Sequence, residues 1–242
     1  MIRFIIKKEN ISGDSAIIEG SEFRHIVKVC RYKLKDRIIL TDLCGYEYKG
    51  MIENIFRDSL SVSLIEKYDP HTEADINIDL YQAVIKKDNF ELVIQKATEL
   101  GVNNIYPVIT SRCEKTVSNQ KVLKRWNDIS EMAASQSGRV KSSLVHKVTD
   151  IEKAVKNRGL GYTDIVLSER VNNLFSIDKI SNKREIRKLS LWVGPEGSFT
   201  DDELGILKES NFVFWGLGKR ILRSETAAIT GLSVLYHIFG EF

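Results

Sequence analysis

Leu189-Ser190-Leu191-Trp192-Val193-Gly194-Pro195-Glu196-Gly197-Ser198-Phe199-Thr200-Asp201-Asp202-Glu203 joins an apolar strand, a glycine turn and a helix start in one stretch. Thr200 followed three residues on by Glu203 has the form of a capping box, so the turn must end at Phe199. A second stretch has the same build: the strand-like Phe212 to Trp215 runs into Leu217-Gly218-Lys219-Arg220-Ile221-Leu222-Arg223-Ser224-Glu225-Thr226-Ala227. In open α/β sheets ligands sit beyond the carboxyl ends of strands, and glycines there let bare backbone approach a ligand closely. The alternative is that Gly194-Pro195 and Gly197 only turn the chain into a capped helix.

Upstream the same alternation continues. Ile76 to Ile85, Ile105 to Thr110 and Asp164 to Leu167 read as strands, and with the two above they predict an α/β domain with a largely parallel sheet. Asp88 with Glu91 predicts the start of a helix that carries Phe90, Val93, Ile94, Ala97 and Leu100 on one stripe and stops at Gly101. Lys121 to Gln136 predicts a helix with Val122, Trp126, Ile129 and Ala133 inward, and Ser224 to Phe239 an apolar closing helix with His237 in the core. A polar break at Asp69-Pro70-His71-Thr72 separates this region from a run of short β segments (Arg3 to Ile6, Ala16 to Ile18, Arg37 to Thr41, Tyr46 to Ile55, Ser61 to Ile65) that predicts a small barrel. The expected domains are 1–70 and 71–242.

The chain has 242 residues, 43% hydrophobic, enough for a sizeable core. Lys and Arg (36) barely exceed Asp and Glu (33), so nucleic-acid binding is permitted and depends on local clustering of charge. Cys30, Cys44 and Cys113 are scattered, which argues against disulfides or structural zinc. His25, His71, His146 and His237 lack spaced partners, so no metal is expected. Gly216-Leu217-Gly218 reaches Ile221 where a dinucleotide fingerprint needs a third glycine; there is no P-loop, and Gly197-Ser198-Phe199 is no nucleophile elbow. MIRFIIKKEN is too short and charged for a signal peptide, and no run approaches the ~18 apolar residues of a membrane span, so a soluble, cytoplasmic protein is expected.

Gly194-Pro195-Glu196-Gly197, followed about twenty residues later by Leu217-Gly218-x-Arg220-Ile221-Leu222-Arg223-x-Glu225-Thr226-Ala227, resembles the paired cofactor loops of the RsmE family, the 16S rRNA uridine-N3 methyltransferases. Gln82-x-x-x-Lys86 with Phe90 to Val102, Pro107, Ser111-Arg112-Cys113, Gln136-Ser137-Gly138-Arg139 and His25-Ile26 with Val29, Arg31 and Asp36 extend the likeness over most of the chain in order. The chain departs from the pattern at Ser198 and Lys35, where the family has glycine, and at Cys30 (usually Leu), Ser135 (often acidic) and Ser224 (Thr).

The resemblance implies a SPOUT-type α/β domain with a C-terminal deep trefoil knot, preceded by a small PUA-like β-barrel domain, and a homodimer formed through the closing helix. It implies S-adenosyl-L-methionine as cofactor, held by Ser168, Gly194, Glu196, Gly197, Leu217, Gly218, Ile221 and Leu222, with Glu169 beside Ser168. Methyl transfer to uracil N3 calls for a cation that favours the base's anion, and Arg223 is the candidate, with Glu225 orienting it or assisting proton removal. The alternative is an Arg223–Glu225 ion pair that only fixes the knot. For 16S rRNA in the small ribosomal subunit, Arg24, His25, Arg31, Arg112, Gln136 and Arg139 are the expected contacts. Lys28, Lys33, Lys35, Arg37, Lys115 and Lys141 add charge nearby, and the run Lys183-Arg184-Glu185 to Lys188 reads as solvated surface. The competing activities are a ribose 2′-O- or tRNA methyltransferase on the same fold, and a non-catalytic RNA-binding assembly factor.

Overall fold

The computed structural model describes residues 2–113, 119–171 and 186–241; Lys115 and the run at 183–185 lie outside the described residues. The chain forms two compact units, Met1–Glu73 with Glu131–Ser142, and Ala74–Ser130 with Ser143–Phe242.

In the first unit β1 (Arg3–Ile5), β2 (Ile11–Ser12), β3 (Ser15–Glu19), β4 (Arg37–Thr41), β5 (Glu47–Ile55) and β6 (Ser59–Tyr68) form one sheet in the order β1-β4-β5-β6-β3-β2. Its ladders are antiparallel except β1 on β4. Among the described residues the hydrogen-bonded path has two ends and does not close on itself as a barrel. Alternation sets the buried face: Ala16 and Ile18 point in from β3 and join Phe4, Leu40, Ile52 and Val62. Helix α1 (Gly20–Arg24), running on as a π-helical turn over His25–Val29, was not legible among the β signals; Phe23 and Ile26, one turn apart, pin it to this core.

In the second unit β7 (Asn77–Ala83), α2 (Lys87–Leu100), β8 (Asn104–Ile109), α3 (Gln120–Ser137), β9 (Leu144–Val145), β10 (Thr149–Asp150), α4 (Ile151–Asn157), β11 (Thr163–Leu167), β12 (Lys188–Val193), α5 (Asp201–Glu209), β13 (Val213–Trp215) and α6 (Ser224–Phe239) follow in order. The last turns of α3 belong to the first unit. Every ladder here is parallel, in the order β10-β8-β7-β12-β11-β13, with β9 also on β8. Helices cover both faces, which is why β12 is buried almost throughout instead of alternating. On one face α2 and α6 pack through Phe90, Val93, Ala97, Leu232 and Leu235; on the other, α4 and α5 pack through Ile151, Val155 and Leu207.

Two local expectations need correction. Helix α2 starts at Lys87 with Lys86 as N-cap and no side-chain cap, so Asp88 lies inside the first turn and Glu91 falls two residues past the N3 position; the Arg125 guanidinium holds both Glu91 oxygens at 2.6 and 2.7 Å. His237 is exposed, because the inward face of α6 is formed by Ala228, Gly231, Leu232, Leu235 and Tyr236, and position 237 falls outside that stripe. Gly101 ends α2 at φ 115°, a left-handed residue closing the helix as glycine does.

Candidate functional site

Strand order places the site. Chain direction across the sheet reverses at β7, and β13 lies on the far side of β11 while α6 packs on β12 and α2, so the chain after β13 leads back past β11 to enter α6. That return brings the loop 216–223 beside the glycine turn after β12, and the segment after β11 closes the third side. The resulting cleft has a volume of about 260 Å3, on the scale of a small-ligand site.

Of the residues expected to hold a cofactor, Ser168, Gly194, Glu196, Leu217, Gly218, Ile221 and Leu222 line this cleft together, with Glu169 and Arg223. Gly197 does not line it and has a supporting place: the Arg112 guanidinium donates to its carbonyl at 2.6 Å, and a Cβ on Gly197 would sit 3.3 Å from the Arg112 side chain. Also lining the cleft, though not among the residues expected to hold the cofactor, are Leu167, Val193, Pro195, Ser198, Trp215, Arg220, Ser224 and Ala227. The apolar ones end strands or begin α6, and nothing in an apolar strand end distinguishes a cleft wall from core.

The turn is built to hold its shape. Thr200 and Glu203 form the reciprocal capping box, and Glu203 also accepts the Ser111 N–H at 2.7 Å. Burial alone would raise the Glu203 carboxyl, but hydrogen bonds from Thr200 and Ser111 outweigh it and hold the group below the ordinary carboxylate range. A Cβ on Gly194 would meet the Phe199 ring at 3.1 Å, so packing against that ring, and not dihedral angle, favours glycine here. Ser198 stands at φ 61° and Lys35 at φ 70°, so both positions where the resemblance expects glycine are left-handed. Ser198 donates to Glu169 at 3.0 Å, tying two sides of the cleft. The Ser168 N–H donates to the Trp215 carbonyl at 2.9 Å, joining the ends of β11 and β13. Ile221 is 84% exposed, an apolar side chain standing at the lip.

Arg223 is the N-cap of α6, exposed, and makes no capping hydrogen bond. No ion pair joins it to Glu225 among the described residues. Glu225 is buried in the first turn of α6, and its Oε2 has no hydrogen-bond partner among them. The ion-pair alternative is therefore not what the geometry presents.

The residues expected to meet RNA fall into two groups. Arg24, His25, Arg31, Arg112 and Gln136 are exposed. Arg139 is buried; its guanidinium donates to Glu73 at 2.8 Å, and Glu73 also accepts the N–H groups of Val140 and Lys141. That arrangement anchors the chain after α3 and presents no cation to solvent, which corrects the expectation for this residue.

Residues 72–236 match the model of the RNA methyltransferase domain and 18–65 that of the RNA methyltransferase PUA domain. The ribosomal RNA small subunit methyltransferase E of Rickettsia conorii is 34% identical over 94% of this chain and 95% of its own length. The chain belongs to the ribosomal RNA small subunit methyltransferase E family. A second member, from Bacillus subtilis, is 31% identical over 90% of this chain and 88% of its own. The family's crystal structure from Neisseria gonorrhoeae, bound to S-adenosylmethionine, superposes with a TM-score of 0.90 at 28% identity, covering 100% of this chain and 99% of that one. A putative methyltransferase from Legionella pneumophila in complex with the same cofactor gives 0.88 at 27%, covering 98% and 97%.

Proposed function

We propose that this protein transfers the methyl group of S-adenosylmethionine to N3 of a uridine in 16S rRNA of the small ribosomal subunit. The observation that carries the reading is the cleft closed by three strand-end loops with an exposed arginine that has no ion-pair partner among the described residues, in a chain alignable end to end with a cofactor-bound family structure. The residues present fit the cofactor: Leu167, Trp215, Leu217 and Leu222 offer an apolar slot for a flat base, and Gly218, at φ 101°, leaves backbone open beside it. When bound, the cofactor supplies an electrophilic methyl group. The chain's own work is positioning and charge. Arg223 stabilises the negative charge that develops on the uracil, and Ile221 packs against the bound pair. Glu225 plays a supporting electrostatic part, complementing the positive end of the α6 dipole.

The same reading assigns 1–70 as a PUA-like RNA-binding domain that uses Arg24, His25 and Arg31, and 71–242 as the catalytic domain, where Arg112 meets RNA; Gln136, on the last turns of α3 that belong to the first compact unit, meets RNA as well. It further assigns a deep trefoil knot, supported by the return of the chain past β11. It assigns a cytoplasmic homodimer through the closing helix α6, Ser224–Phe239. Among the described residues no helix is long and apolar enough to cross a membrane.

The test is methyl transfer from isotopically labelled S-adenosylmethionine to small subunits from cells lacking this protein, with nucleosides resolved by mass spectrometry. Label in 3-methyluridine is expected. Label on a ribose 2′-oxygen, or none, overturns the reading.

A further inference from the structure

Gln82 is the penultimate residue of the sheet's pivotal strand β7, is fully buried, and pairs in register with Val193, the residue before the glycine turn. Its Nε2 donates to the Ala83 carbonyl at 3.0 Å and to the Ser224 hydroxyl at 2.9 Å, while Ser224 Oγ lies 2.6 Å from the Gly194 carbonyl oxygen. The direction of this chain of bonds is forced. A carbonyl can only accept, so Ser224 gives its proton to Gly194 and must accept from Gln82. Turning the amide over would set its oxygen against the Ala83 carbonyl, so the nitrogen faces both acceptors. The consequence is visible: Gln82 Oε1 is buried with no partner among the described residues. A leucine would fill this place without an orphaned acceptor, so the amide's donor function is what the position uses.

We infer that Gln82 is a positioning residue for the methyl-transfer site, acting through the Ser224 hydroxyl to lock the Gly194 carbonyl and the first turn of α6 in register. The inference rests on the functional reading above. The relay joins the end of β7, the start of the turn after β12 and the first residue of α6, three pieces far apart in sequence that the cleft needs side by side. Arg223 directly precedes the Ser224 anchor, so the relay also fixes where the guanidinium starts from.

The experiment measures affinity for S-adenosylmethionine by titration calorimetry, with kcat and KM for methyl transfer, in the full-length parent and in Gln82→Leu, Gln82→Glu, Ser224→Ala, Ser224→Thr and the double variant Gln82→Leu/Ser224→Ala. Loss of one buried donor that leaves its acceptor unpaired predicts about ten- to hundredfold weaker cofactor binding in Gln82→Leu and Ser224→Ala. Gln82→Glu keeps the shape; in its ionised form it can only accept, draws the Ser224 proton away from Gly194 and is expected to lose as much, so it is measured at a pH where the carboxylate is charged. The double variant should be no worse than either single, because one relay is broken once. Ser224→Thr, which keeps a hydroxyl, should recover most of the loss seen with alanine. Cofactor affinity in Gln82→Leu or Gln82→Glu within twofold of the parent, or losses that multiply in the double variant, would overturn the inference. A parent that binds no cofactor refutes the functional reading instead. The relay is then judged by unfolding midpoints of the same set, where independent shifts at Gln82 and Ser224 refute it and coupled shifts uphold it.

Discussion

Replacing Arg223 by alanine removes a guanidinium that is exposed, makes no capping hydrogen bond and has no ion-pair partner among the described residues. Because nothing among the described residues is bonded to the guanidinium, the unfolding free energy should move by no more than about 0.5 kcal/mol, the range for surface substitutions without a structural role. Turnover is different. A single preorganised group facing charge that develops in the transition state is worth about 2.7–4 kcal/mol, and the exposure of this one places it at the lower end, a loss of about a hundredfold in kcat. Cofactor affinity should stay within about threefold, since the cleft walls are other residues. Arg223→Lys, which restores charge without the planar fork, should fall between the two. The assay is single-turnover methyl transfer to small subunits alongside calorimetric cofactor titration and urea unfolding. Near-parental turnover in Arg223→Ala would refute the electrostatic role; a large fall in the unfolding midpoint would show that the residue holds the fold instead.

Three further outcomes follow from the same geometry. Gly194→Ala should overpack Phe199, costing about 1–3 kcal/mol and weakening cofactor binding about ten- to hundredfold, and adding Phe199→Leu should recover part of it, as calorimetry of the cycle would show. Arg139→Ala should destabilise the protein by about 3 kcal/mol through the stranded Glu73 carboxylate, read from urea midpoints; unchanged stability with weaker RNA binding would restore the phosphate role. Glu203 has a carboxyl held below its ordinary range in the folded state, so it contributes stability above the unfolded value near 4.5 that is lost as pH falls through the lower folded value. Acid unfolding of Glu203→Gln should therefore be less steep in that window, and an unchanged profile would show that the hydrogen bonds from Thr200 and Ser111 do not matter to stability.

Periodicity carried the second unit well, because its strands are apolar throughout and its helices striped; glycines at strand ends marked where a pocket could lie, and the individual cleft residues were named through the family resemblance. Signals that depend on register or on distant partners failed. Glu91 has the spacing of a capping residue to Asp88, yet the helix starts ahead of Asp88, so Glu91 is out of register with the N-cap and its carboxylate meets Arg125 instead. Arg139 has the look of a phosphate ligand in sequence, and only the fold reveals Glu73 beside it. Helix α4 is a single short stretch whose cap, Asp150 accepting the Lys153 N–H at 2.8 Å, is common in turns as well. The Gln82 relay joins residues 142 positions apart, beyond any local pattern. Ser198 and Lys35 are the converse case: departures from an expected glycine proved to mark left-handed backbone, so the sequence comparison located a conformation that propensity alone disfavours there.

The most direct measurement is a crystal structure of the protein soaked with S-adenosylmethionine. The account predicts cofactor density between the turn at 194–197, the loop at 217–222 and Ser168, with its methyl group within reach of Arg223. Density elsewhere on the molecule, or none at a concentration that saturates the Neisseria gonorrhoeae relative, would contradict it.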